Sequence, residues 1–270
     1  MHRLALHQLS LRDVAPVDLP GIAASVGVDT VSVFVTPPSP DLDIFPKVER
    51  GTAAAFRSAC SENGVGVHNI EVFSIGPETD VAQFSSALDL GAEIGAKRLT
   101  ALVQDSDTGR VDDRMGALAT AAASRGIAVS IEFMKFSECR SIGAGSDLLT
   151  RIGHDNLSLL VDPLHLFRTG GTVADLAAVD PALIGAAQVC DGPLDAPKNP
   201  FAEAVEDRGI PSEGGFPLLD FLNALPDGTP LDMEIPMKRL EKAGMGPVER
   251  AQKLVDATRA LMARKGAGRG

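Results

Sequence analysis

Leu157-Ser158-Leu159-Leu160-Val161-Asp162 is a strand-length apolar run that ends in a carboxylate. Three further runs in the second half of the chain end on an oxygen side chain able to hold a metal: Ser130-Ile131-Glu132, Ala186-Ala187-Gln188 and Leu231-Asp232-Met233-Glu234. If these are successive parallel strands, Glu132, Asp162, Gln188 and Glu234 converge on one rim of one sheet.

Working outward, runs of the same kind recur along the whole chain. Strands are expected at 3–7, 30–35, 66–72, 98–103, 128–133, 157–162, 184–189 and 231–235. Between them lie Ala/Leu-rich segments of helical length at 52–62, 80–94, 112–124, 146–153, 173–178, 217–224 and 247–263, preceded by a short helix at 19–26. This alternation is the pattern of repeated βα units around a parallel sheet. Eight units close naturally into a single-domain α/β fold, the (β/α)8 TIM barrel. An open doubly wound sheet would carry a glycine-rich fingerprint after its first strand, and no GxGxxG follows Leu4 to Leu6. The barrel is assigned to residues 1–263. Residues 264–270, charged and glycine-rich without apolar periodicity, read as a flexible C-terminal tail. Long connections at 37–48 and 191–217 leave the C-terminal ends of strands, where barrels keep their functional loops.

The chain has 270 residues, 44% of them hydrophobic, and a formal net charge of -11. That charge opposes nucleic acid as a partner, because phosphate binding needs a concentrated basic face. Three cysteines without a CxxC pair suggest neither a disulfide framework nor a structural zinc site, which fits a cytoplasmic protein. No apolar stretch is long enough for a secretion signal or a membrane span. A small molecule is the expected partner, and self-association into a homo-oligomer stays open.

Three carboxylates and an amide oxygen make a hard donor set that suits one divalent ion, Mn²⁺ or Mg²⁺, better than a thiolate-seeking metal. Such a rim leaves coordination positions for two substrate oxygens, the arrangement needed to polarise a carbonyl and stabilise an enediolate. Any one of these residues alone reads as a solvated loop side chain. Four at consecutive strand ends favour a site.

Ile131-Glu132-Phe133, Val161-Asp162-Pro163-Leu164-His165, Gln188-Val189-Cys190-Asp191-Gly192-Pro193 and Met233-Glu234 together resemble the sugar phosphate isomerase/epimerase superfamily, the xylose isomerase-like barrels. The resemblance spans most of the chain. It implies metal ligation by Glu132, Asp162 and Glu234, with Gln188 standing where the superfamily often has histidine, and acid/base roles for the glutamate pair. Gln188 and the segment Arg208-Gly209-Ile210-Pro211-Ser212-Glu213-Gly214 are similar to the 3-dehydroshikimate dehydratases of that superfamily, although Ser212 replaces their usual glycine.

His165, three residues beyond Asp162, is a candidate substrate contact or orienting group. His68 is a candidate general base if it faces the barrel, since an imidazole titrates near about 6.5. His7, at the end of the first strand, could face the same cavity. Arg168 and Arg208 are candidate clamps for carboxylate, phosphate or paired hydroxyls. The chain lacks Trp and Tyr, so any stacking falls to phenylalanines such as Phe34, Phe73, Phe133 and Phe136, and an apolar rim would suit a substrate less hydrophilic than a free sugar.

The expected activity is therefore a divalent-metal-dependent isomerase or epimerase acting through an enediolate on a small polyhydroxylated carbonyl compound. A lyase of the 3-dehydroshikimate or inosose dehydratase type is the alternative, with His68 as its base. A barrel that binds metal and ligand without turnover is the reading from another class.

Overall fold

The computed structural model describes residues 2–37 and 45–267. Eight parallel strands, β1 (Leu4–His7), β2 (Thr30–Phe34), β3 (Gly66–Ile75), β4 (Arg98–Val103), β5 (Ala128–Glu132), β6 (Leu157–Val161), β7 (Ile184–Val189) and β8 (Leu231–Met233), hydrogen-bond in chain order, and β8 returns to pair with β1. The sheet is a closed barrel, as the alternation predicts.

Alternation along each strand sorts the side chains. Val31, Val33, Ile70, Leu99, Val129, Ile131, Leu159, Val161, Leu231 and Met233 belong to the main buried core under the helices. The opposite face carries Ser32, Asn69, Glu71, Thr100, Ser130, Glu132, Gln188, Asp232 and Glu234, all buried. Neighbouring strands join them by side chain: Asn69 Nδ2 donates to Thr100 Oγ1 at 2.8 Å, and Arg98 Nη1 donates to Ser130 Oγ at 2.6 Å. The barrel interior is thus largely polar, and most of the apolar mass lies outside.

Several boundaries differ from expectation. β3 runs on to Ile75, and the 80–94 segment divides into a 3-10 turn, Val81–Phe84, and a helix, Ser85–Glu93. Three short helices go beyond the sequence reading: Pro163–Arg168, Pro200–Glu206 and Lys238–Lys242. Each spans at most two turns, too few for a periodic apolar stripe to show. The supposed tail is helical through Ala267, because the last helix, Pro247–Ala267, continues past 263. Lys265 anchors it by donating to Leu222 O at 2.6 Å, with His2 Nε2 at 2.8 Å. Residues 268–270, and 38–44 of the first long connection, lie outside the described residues. No helix among the described residues is long and apolar enough to cross a membrane.

Candidate metal centre

Glu132 is the last residue of β5, and Asp162 directly follows β6. Asp162 caps the helix Pro163–Arg168, its Oδ1 accepting from Leu164 N at 2.7 Å, which fixes the carboxylate and turns His165 inward. His165 Nε2 then lies 3.7 Å from Glu132 Oε1 and 3.8 Å from Asp162 Oδ2. Gln188, on β7, is 1% exposed and sits in register with Asp232 of β8. Glu234 follows β8, and Ser10 braces it from both sides: Ser10 Oγ donates to Met233 O at 2.7 Å and accepts from Ile235 N at 2.7 Å.

Arg208 joins the two halves of the cluster. Its Nη1 donates to Asp162 Oδ2 and to Glu234 Oε2, each at 2.8 Å, while Nε is tied to Ala204 O at 2.9 Å. The guanidinium binds the acids themselves rather than standing free for a substrate anion. Arg168 is also committed. It forms a fork onto Glu203, with 2.8 and 2.6 Å contacts, donates to Pro193 O at 2.7 Å, and lies over the Phe216 ring at 5.0 Å. Its role is to tether the 191–217 connection, and the expectation of a substrate clamp there is corrected.

His7 is fully buried, with Nε2 3.1 Å from Glu71 Oε2 and Nδ1 3.8 Å from Glu234 Oε1. Leu9 N donates to Nδ1 at 3.0 Å, which requires a lone pair there and directs the ring's proton from Nε2 to Glu71. Burial opposes charge on His7, yet Glu71, Glu234 and Asp232 raise its pKa to about 10. The two observations pull apart, and the Leu9 bond favours the neutral tautomer. With Nδ1 bonded to Leu9 N and Nε2 directed at Glu71 at 3.1 Å, His7 faces carboxylates on both sides, and the expected substrate contact through its ring nitrogens is corrected.

Glu71 was not singled out from sequence, although its alternation with Asn69 marks both as facing one way. Its Oε1 accepts from Asn69 Nδ2 at 2.8 Å and Thr100 Oγ1 at 2.9 Å. Burial works against its charge, but His7 and then Thr100 hold its pKa below the ordinary value. His68 stands elsewhere. It lies at an irregularity in the β2/β3 pairing, where Val31 pairs with Val67 but Ser32 with Asn69, three residues toward the strand's N-terminal end from Glu71. Burial first, then the charges of Arg98 and Arg3 near other strand starts, lower its pKa to about 4. The expectation that it serves at the rim as general base is corrected.

The cluster has the electrostatics of a cation site. Burial, then the charges of Glu234 and Asp162, push the Glu132 carboxyl well above its ordinary pKa. Burial likewise raises Glu234 to about 7 despite Arg208 and His7. Asp162 stays below its ordinary value because Arg208 and His165 outweigh its burial. Glu132 Oε1 and Gln188 Oε1 are buried acceptors without a hydrogen-bond partner. Such orphans are costly unless something binds them. Buried orphaned oxygens among carboxylates fit a hard divalent ion, and two groups offer ligand atoms within 4.8 Å of one another: Glu132, Asp162 and His165, and His7, Glu71 and Glu234.

The sequence pattern of the xylose isomerase-like TIM barrels matches residues 20–261. The chain belongs to this family. No curated protein matches the sequence. Among solved xylose isomerase-like structures, a xylose isomerase-like TIM barrel/4-hydroxyphenylpyruvate dioxygenase fusion protein superposes with a TM-score of 0.79 at 18% identity, over 98% of this chain and 43% of that one. The chain therefore spans less than half of the fusion's length. The IOLI protein with a bound zinc atom gives 0.78 at 15% identity, over 97% and 99% of the two chains. A D-allulose 3-epimerase from Methylomonas sp. gives 0.70 at 15%, over 96% and 98%. At these identities the likeness is one of fold.

Proposed function

We propose that the protein is a divalent-metal-dependent isomerase or epimerase acting on a small compound that carries a hydroxyl beside a carbonyl. The observation that carries this reading is the set of four buried oxygen donors at consecutive strand ends, two of them bearing acceptors without a hydrogen-bond partner. Glu132, Asp162, Gln188 and Glu234 would hold one Mn²⁺- or Mg²⁺-like ion, which supplies Lewis acidity to the carbonyl and hydroxyl oxygens. The zinc atom of the IOLI protein and the allulose epimerase neighbour support a metal and this reaction class.

Glu132 and Glu234 are the acid/base pair in this mechanism. Each is a buried carboxylate at a strand end of the donor set, placed to take a carbon-bound proton and return it. Glu234 removes the proton alpha to the carbonyl, the enediolate forms, and Glu132 delivers a proton to the other face or the neighbouring carbon. Arg208 fixes the Oε2 side of Glu234, leaving Oε1 to do the exchange. His165, with its pKa lowered to about 4 chiefly by burial, is neutral at working pH and serves as a hydrogen-bonding contact for a substrate oxygen. The net charge of -11 fits a small-molecule substrate rather than nucleic acid.

Turnover in D₂O tests this directly. The mechanism predicts solvent deuterium at the carbon next to the carbonyl, read by mass spectrometry, and full retention of carbon-bound hydrogen would overturn it. Water loss, as in the dehydratase reading, is favoured by Gln188 and the Arg208 turn. Its suggested base, His68, lies three residues toward the N-terminal end of β3 from Glu71 rather than at the rim, so a product of unchanged mass is expected.

A further inference from the structure

The barrel mouth is chemically divided. On β6 to β8 the rim carries Asp162, Gln188 and Glu234, with Arg208 between the acids. On β1 to β5, next to His7, Glu71 and Glu132, lies a hydrocarbon patch: Leu9, Phe34, Val72 and Leu102 form a small buried cluster separate from the main core, with Phe45 and Met134 packed against it. Alternation sets two of them on the barrel's inward face, Phe34 two residues above Ser32 and Leu102 two above Thr100, and Leu9, Val72 and Met134 pack around them. Phe34 meets the His7 ring edge-on at 5.6 Å and stacks on Phe45 at 4.9 Å, so the wall abuts the polar cluster directly.

A fully hydroxylated sugar needs hydrogen-bond partners on both sides, and a wall of this kind would strand its hydroxyls. A phosphate or carboxylate on the substrate would need a cation, and the two arginines of the mouth are already committed to Asp162, Glu234 and Glu203. Lys135 is exposed to solvent beyond Met134.

We propose that Leu9, Phe34, Val72, Leu102 and Met134 form a specificity wall that selects an uncharged hydroxycarbonyl compound whose remaining carbons are hydrocarbon, an alicyclic ring or alkyl chain, over polyols and sugar phosphates. This rests on the metal reading above, because the polar half must hold the hydroxycarbonyl end.

Hydroxamates, which present two oxygens as an enediolate does, separate the two claims. Calorimetry on the Mn²⁺-loaded protein would compare acetohydroxamate with the four-carbon pair butanohydroxamate and erythronohydroxamate, and with cyclohexanecarbohydroxamate and phosphoglycolohydroxamate. The alkyl and cyclohexyl probes are expected to bind at least ~10-fold tighter than erythronohydroxamate, in line with the transfer of several methylenes from water. Leu102→Asn and Met134→Gln should each shrink that ratio, which a misfolded fraction leaves unchanged. Equal or tighter binding of the erythrono or phosphorylated probe, with acetohydroxamate still bound, overturns the wall alone. Failure of every hydroxamate to bind overturns the metal reading and the wall with it.

Discussion

Asp191 shows how much one carboxylate can organise. Its two oxygens accept from four backbone amides: Gly192 and Phe216 on Oδ1, Ser212 and Gly214 on Oδ2, at 2.8 to 3.1 Å. It is 1% exposed, so no water replaces a lost bond. Asp191→Asn turns one acceptor into a donor facing amides, and should cost about 2–4 kcal/mol in urea unfolding. A loss under about 1 kcal/mol would contradict this role. His68→Asn should keep turnover within about threefold, well short of the ~10² expected on removing a general base. Because its folded pKa is near 4, His68 stays neutral in the folded protein while the unfolded chain takes up its proton below the ordinary 6.5. Its burial therefore lowers stability as pH falls from 6.5 toward 4, and the variant should flatten that part of the stability curve. At this scale the sequence exposes residue types and spacing, which single out Glu132, Asp162, Gln188 and Glu234 as candidates, and the structure buries all four. The sequence does not expose which partner takes each charge: Arg168 and His7 read as substrate contacts, whereas Glu203 and Glu71 stand against them. Nor does it reveal that Ser212 keeps a left-handed φ of 74° where the resemblance expected glycine.

Between β7 and the helix Leu218–Ala224, the chain folds back so that Asp191 and Gly209 exchange backbone hydrogen bonds at 2.8 and 2.7 Å. A Cβ on Gly209 would sit 2.8 Å from the carbonyl carbon and oxygen of Asp191, backbone atoms that cannot swing aside. Gly209→Ala should cost about 1–3 kcal/mol. It should lower activity further, since the adjacent Arg208 would shift off Asp162 and Glu234. Unchanged kinetics in a soluble, folded variant would show that this crossing does not position Arg208. The eight strands were legible because each has a dense apolar run of its own. The helices Pro163–Arg168, Pro200–Glu206 and Lys238–Lys242 were not, because they arise from a capping aspartate or asparagine and from loop packing rather than from an apolar stripe.

Across the whole molecule, most hydrocarbon is packed between strands and helices while the barrel's inside is left largely to polar groups, a division that allows charge to gather at one end without opening the core. Carboxylates crowded there repel one another, and a cation that binds only the folded state relieves them. Added Mn²⁺ should therefore raise the melting temperature in a concentration-dependent way. Calorimetric titration of Mn²⁺ and Mg²⁺ into the wild type and the Glu132→Gln, Asp162→Asn, Gln188→Ala and Glu234→Gln variants tests the central claim most directly. One ion per wild-type chain, with binding weakened at least ~10-fold in each carboxylate variant, is the predicted result. No saturable binding to the wild type, or equal affinity in all the carboxylate variants, would contradict the assignment of these strand ends as a metal site.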